Sequence, residues 1–167
     1  MQKILVSACL LGQPLRYDGR DYASGSDLNS DILASWQDEG RIVSICPEVV
    51  GGLAVPRPPA EIQGGDGGAV LDGTTAVMTA AGDDVSDNFM AGAKQALALC
   101  QQHGIAIAIL VESSPSCGSH QIRDGSFSGA KVAGMGVTTA LLRQHGISVF
   151  NQFQLAEVAA LINREKQ

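Results

Sequence analysis

Charge is scarce in this chain, at 17% of its 167 residues, and basic charge is scarcer, with 11 Lys and Arg against 17 Asp and Glu. No basic cluster offsets the formal charge of −6. That balance excludes bulk nucleic acid as a partner, because phosphate binding needs a basic footprint. Long apolar runs are missing too. The longest, Ile105 to Val111, is far short of the roughly 18 residues that mark a spanning helix, so no membrane partner is expected. The four cysteines contain no Cys-x-x-Cys pair, which argues against the common zinc modules. What is abundant is apolar: 45% hydrophobic residues exclude disorder and supply a large core. The length corresponds to one domain, residues 1–167.

Val6-Ser7-Ala8-Cys9 resembles the cleavage end of a bacterial lipoprotein signal. Yet only eight residues precede Cys9 and Lys3 is their one basic residue, whereas secretory signals need roughly 15 to 30 residues with a distinct charged region. A buried first strand, Lys3 to Ala8, fits better, and a cytoplasmic location is expected. Cysteines there are reduced, metal-bound or reactive rather than paired.

Three times a helix-like segment ends at a glycine and a β-rich apolar run follows: Gly40 before Arg41 to Ile45, Gly104 before Ile105 to Val111, and Gly146 before Ile147 to Phe150. Glycine tolerates the left-handed conformation that ends a helix. The runs are short and apolar on both sides, as in strands of a parallel sheet covered by helices on both faces. These signals predict an α/β fold, three-layered and Rossmann-like, with a mainly parallel sheet. The repeated Gln-His-Gly-Ile at 102–105 and 144–147 reads as two independent helix ends.

The expected helices run from about Ser26 to Glu39, with Leu28, Ile32 and Trp36 inward; from an N-cap at Ser86, with Phe89, Ala93, Ala96, Leu97 and Cys100 on one face; from Gly136 to before Gly146; and from about Gln152, with Leu155, Val158, Ala159 and Ile162 inward. Between about residues 50 and 85 the chain is dense in glycine and proline, a loop insertion in which Val70 to Thr74 suggests a hairpin turn. It reads either as a lid or substrate loop or as a solvated connection.

Cys9, Cys46 and Cys117 each follow a predicted strand, and in a doubly wound sheet those strand ends share one edge, the usual ligand crevice. Cys100 instead falls on the apolar stripe of its helix and is expected to pack as a small hydrophobe. Three convergent thiols suit a soft metal or an iron-sulfur cluster. The other reading is three unrelated core or loop thiols. Gly134-Met135-Gly136 offers a weak anion site at a helix start, and His120 stands three residues from Cys117 as a poor match to a thiol and its base. A cysteine phosphatase signature is one residue out of register between Cys9 and Arg16.

Ser7-Ala8-Cys9-Leu10-Leu11-Gly12, Arg16-Tyr17-Asp18-Gly19, Cys46-Pro47-Glu48-Val49, Gly51-Gly52-Leu53, Pro56-Arg57-Pro58-Pro59-Ala60-Glu61-Ile62, Ser114-Pro115-Ser116-Cys117-Gly118 and Asp124-Gly125-Ser126-Phe127-Ser128-Gly129 together resemble the bacterial thiouracil desulfurase family. The resemblance runs from about Ile4 to Phe150. It implies an oxygen-sensitive 4Fe-4S cluster held by Cys9, Cys46 and Cys117, and catalytic roles for Glu48 and Ser114. Relatives often carry cysteine where this chain has Leu15 and lysine where it has Val111.

The implied chemistry is coherent. A 4Fe-4S cluster takes four ligands, so three thiolates leave one iron open to the soft sulfur of a thiocarbonyl, where it acts as a Lewis acid. A carboxylate beside the carbon activates water and a hydroxyl relays a proton. Arg16 and Arg57 read either as contacts to a nucleotide phosphate or a pyrimidine oxygen or as ordinary surface ion-pair residues. The expected activity is therefore removal of sulfur from a small thiolated base or nucleotide, of the thiouracil or thiouridine monophosphate type. The alternative is a non-catalytic iron-sulfur or sulfur-carrier protein.

Overall fold

The structure is a computed structural model that describes residues 1–22 and 30–166. In chain order the elements are β1 (Ile4–Ser7), a 3-10 turn (Ala8–Leu11), α1 (Ser30–Asp38), β2 (Ile42–Ile45), α2 (Pro47–Val50), β3 (Ala60–Ile62), α3 (Gly67–Leu71), β4 (Val77–Thr79), α4 (Ser86–His103), β5 (Ile107–Ile109), β6 (Gln121–Arg123), β7 (Lys131–Ala133), α5 (Val137–Gln144), β8 (Ser148–Phe150) and α6 (Leu155–Glu165).

Four strands form one parallel sheet in the order β2-β1-β5-β8. Side chains alternate across it, as the pleat requires. Leu5, Ala108 and Val149 face a core shared with Ala96, Cys100 and Leu142 of α4 and α5. Ile4, Val6, Ile107 and Ile109 face the opposite one, shared with Leu33 and Trp36 of α1 and Val158 and Ile162 of α6. Helices thus cover both faces, and the expected three-layer α/β architecture is present. A third core, with Ile62, Val70, Val77, Phe89, Ile122 and Val137, ties the two antiparallel pairs β3–β4 and β6–β7 to the main body. Among the described residues no helix is long and apolar enough to cross a membrane.

Gly40, Gly104 and Gly146 all adopt positive φ, at 68°, 63° and 79°, so the helix-ending punctuation read from the sequence is realised. Each Gln-His-Gly-Ile repeat closes one helix and opens one strand. The first part of the expected Ser26 to Glu39 helix, Leu28 included, lies outside the described residues. Its described part buries Leu33 as well as Trp36 and leaves Ile32 half-buried.

Two local expectations are corrected. Val70 to Thr74 is no hairpin turn: the Asp66 carboxylate accepts the Gly68 N–H at 3.0 Å and starts α3, so the antiparallel partners are β3 and β4 on either side of that helix. Ser86 does not cap α4. Its hydroxyl accepts the Val77 N–H at 2.8 Å, stitching β4 to the helix, while Asp84 accepts the Ser86 N–H at 2.9 Å.

Candidate active site

The strand order reverses direction at β1 and β5, and in open parallel sheets the crevice for a ligand lies beyond the carboxyl ends at such a point. A cavity of about 350 Å³ sits there. β1 delivers Cys9 on its 3-10 turn, Cys46 follows β2 directly, and the loop after β5 returns Cys117. All three line the cavity as free thiols. Cys100 lies instead in the core beneath the sheet, among Ala96, Leu142 and Ile105. The division read from strand ends and helix face therefore holds in three dimensions.

Burial is the main influence on these sulfurs. It pushes Cys9 up to about 12, with nearby Cys46 adding to the effect and Arg16 opposing it. It raises Cys46 and Cys117 too, the latter against a hydrogen bond shared with Ser116. Burial thus favours the thiol over the thiolate, and a metal bound there would have to displace those protons. Among the described residues no group of three or more His, Cys, Asp and Glu could hold a single metal ion. Soft donors spaced around a cavity suit a polynuclear cluster better than one ion.

A carboxylate and two hydroxyls share the wall between Cys46 and Cys117. Glu48 stands in the first turn of α2, which Pro47 starts with its preset φ. Its Oε2 accepts from Ser116 Oγ at 3.1 Å and lies 3.5 Å from Ser114 Oγ. Its Oε1 pairs with Arg57 Nε at 3.2 Å. The remaining nitrogens of Arg57 donate to the carbonyls of Ala54 and Leu15, each at 3.1 Å. With its side chain 6% exposed, this guanidinium has each of its three nitrogens bonded to the protein. Arg16 differs: it is half-buried on the cavity wall, with its guanidinium 5.8 Å from the centroid of the Tyr22 ring.

Two weaker sequence signals do not become sites. The amides of Gly136, Val137 and Thr138 donate to the carbonyls of Gly118, Pro115 and Ser116, each at 2.9 Å, so the start of α5 binds the cysteine loop rather than an anion. The His120 Nδ1 faces Glu112 at 3.3 Å and Ser119 at 3.0 Å, so it is held by Glu112 rather than paired with Cys117.

Close backbone packing holds the sulfur-bearing loops. A Cβ on Gly92 of α4 would meet the Pro47 carbonyl oxygen at 1.9 Å, and one on Gly136 would meet the Ser116 carbonyl carbon at 2.3 Å. Only glycine lets α4 and the start of α5 approach the cysteine turns so closely.

A family model for 2-thiouracil desulfurase matches residues 4–154. The chain belongs to that family. It is similar to the uncharacterized protein YbbK of Bacillus subtilis (strain 168), at 44% identity over 155 residues, covering 93% of this chain and 99% of that protein. Among solved structures it is similar to the 4Fe-4S-dependent thiouracil desulfidase TudS. That match has a TM-score of 0.86 and 49% identity, and it covers 98% of this chain and 99% of the other.

Within this desulfurase-family fold, reading the sequence missed three residues that shape the site. The Glu112 carboxylate accepts the amides of Ser113, Ser119, His120 and Gln121 at 2.8–3.3 Å, and so organises the loop that carries Ser114 and Cys117. Glu61, buried on the cavity wall, accepts the amides of Gly125 and Phe127 at 3.0 and 3.2 Å. Ser116 bridges Ser114 and Glu48. A carboxylate one residue past a predicted strand was the hint of Glu112, while Glu61 and Ser116 stand inside two of the resembling motifs with no role assigned to them.

Proposed function

We propose that this family member is an iron-sulfur-dependent desulfurase that hydrolyses the thiocarbonyl of a thiolated pyrimidine, a thiouracil or a thiouridine monophosphate, to the oxo compound and sulfide. The observation that carries this reading is one cavity lined by three free thiols with the Glu48 carboxylate in the same wall. The likeness to a 4Fe-4S-dependent thiouracil desulfidase over nearly the full chain supports it. In this reading Cys9, Cys46 and Cys117 hold a 4Fe-4S cluster, and its one iron without a cysteine supplies a Lewis acid for the thiocarbonyl sulfur.

The chain's own groups then complete the reaction. Glu48 takes a proton from water as the water attacks the thiocarbonyl carbon, and Arg57 fixes the direction of that carboxylate. Ser114 returns a proton to the substrate. Arg16 lies on the wall and is the group available for a substrate phosphate or ring oxygen. Arg57, with every nitrogen engaged, acts on the substrate through Glu48. Residues 1–167 work as one unit, and the segment from 50 to 85 acts as a substrate loop, since Arg57, Pro59, Ala60 and Glu61 line the cavity. Four free cysteines accord with a reducing, cytoplasmic setting.

The test is anaerobic reconstitution followed by incubation with 2-thiouracil or 4-thiouridine monophosphate. A brown protein with about four irons per chain that yields the oxo product and sulfide is expected. A loaded cluster without turnover would mark the chain as a carrier, and a colourless zinc-bound protein would sink the cluster reading.

A further inference from the structure

Ser114 and Glu48 are only marginally in contact, at 3.5 Å, yet a shorter path joins them. Ser114 Oγ accepts two backbone amides, from Ser116 at 3.1 Å and Cys117 at 3.2 Å. A hydroxyl has two lone pairs and one proton. Both lone pairs of Ser114 are used, so its proton must be donated. The nearest acceptor is Ser116 Oγ at 2.9 Å. Ser116 in turn donates to Glu48 Oε2 at 3.1 Å. The Cys117 sulfur lies 3.2 Å from the same oxygen.

Counting donors and acceptors therefore orients the whole chain: amide, Ser114, Ser116, Glu48. Ser116 is 1% exposed, so bulk water has little access to replace it. Hydrogen bonds linked in one direction also strengthen one another in such a setting.

We propose that Ser116 is the positioning residue that couples Glu48 to Ser114. The inference rests on the desulfurase reading above. Ser116 Oγ accepts the Ser114 hydroxyl and donates its own proton to Glu48 Oε2, so it aims the carboxylate that takes a proton from water and holds the Ser114 hydroxyl beside it.

The first measurement needs no cluster. In the metal-free chain labelled with carbon-13 glutamate, Ser116→Ala should shift the Glu48 carboxylate stretch in difference infrared spectra. Ser114→Ala should shift it less, because Ser114 reaches the carboxylate chiefly through Ser116. A Ser116→Ala spectrum with no change overturns the proposal.

The second measurement uses the reconstituted enzyme and 2-thiouracil. Ser116→Ala should keep its iron content and visible spectrum, hold KM within about two-fold, and lose roughly 10-fold to 100-fold in kcat, less than the usual share of a whole acid–base group. The double variant Ser114→Ala, Ser116→Ala should be no slower than the slower single variant, because both break one path. Additive losses, or a change in KM alone, overturn the coupling. If the loaded parent enzyme releases no sulfide, the desulfurase reading fails, while the infrared result still decides whether the hydrogen-bonded chain exists.

Discussion

Asn151, just after β8, donates its side-chain amide to Glu112 Oε2 at 2.7 Å, which fastens the loop after β5 to the neighbouring strand end. The same carboxylate oxygen accepts the Ser119 hydroxyl at 2.9 Å, and the other accepts backbone amides from Ser113 to Gln121. The Cys117 loop therefore owes its shape to a carboxylate that lines the same cavity.

Burial acts to raise the Glu112 pKa, but the hydrogen bonds from Ser113, His120 and Ser119 outweigh it and hold the group at about 2. A carboxyl depressed in the folded state adds stability above its unfolded value and loses it as pH falls through the folded one. Chemical denaturation should show this contribution fading between about pH 4.5 and 2. In Glu112→Gln that part of the slope should vanish. The variant should also lose about 3 kcal/mol at neutral pH, because several amides lose a charged acceptor. An unchanged midpoint would show that the loop holds without it.

How the cysteines meet was legible because helix-ending glycines and short apolar runs announce a parallel sheet, and such a sheet gathers its strand ends on one edge. Cys100 was legible for the same kind of reason, as one position on an apolar stripe. Glu112 was not, since its partners lie up to nine residues away in a loop that doubles back, and no periodicity reports that path. The hairpin expected at Val70 failed because Asp66 captures the Gly68 amide and turns the chain into a helix first. Arg57 was read as a substrate contact or a surface ion-pair residue, and its further anchors, the carbonyls of Leu15 and Ala54, are backbone groups with no sequence signature.

Ligand assignment makes a clear contrast among the four cysteines. Cys9→Ala, Cys46→Ala and Cys117→Ala should each fail to retain iron after anaerobic reconstitution, since two thiolates hold the cluster poorly. Cys100→Ala should retain it and lose only packing, on the order of 1 kcal/mol. Iron analysis and visible absorbance decide. Loss of the cluster in Cys100→Ala with retention in one of the others would reverse the assignment.

Gly92 and Gly136 should behave as site residues although neither carries a side chain. A methyl group at Gly92 collides with Pro47, which sits between Cys46 and Glu48, and one at Gly136 collides with the Ser116–Cys117 peptide. Both clashes are with backbone, so relief requires moving a sulfur-bearing turn. Gly92→Ala and Gly136→Ala should each destabilise the fold by roughly 1 to 3 kcal/mol or more, and reconstituted variants should hold less iron per folded chain. Folded variants with full iron content would show that the turns can shift without harm.

The two arginines should separate in kinetics. Arg57 spends its nitrogens on Glu48, Ala54 and Leu15, so it orients a carboxylate and pins the 12–20 loop at once. Lysine keeps the charge but cannot make three such bonds in one plane. Arg57→Lys should therefore lower kcat by roughly 10-fold to 100-fold, the scale of a misplaced catalytic group, and do so equally for 2-thiouracil and for 4-thiouridine monophosphate. Among the described residues Arg16 makes no salt bridge, and it stands on the cavity wall with its guanidinium near the Tyr22 ring. Arg16→Ala should raise KM for the nucleotide well above any change for the bare base, with kcat nearly constant. Steady-state kinetics on both substrates tests the pair. If Arg57→Lys selectively weakened the nucleotide, its role would be phosphate recognition, and the carboxylate would owe its direction to Ser116 alone.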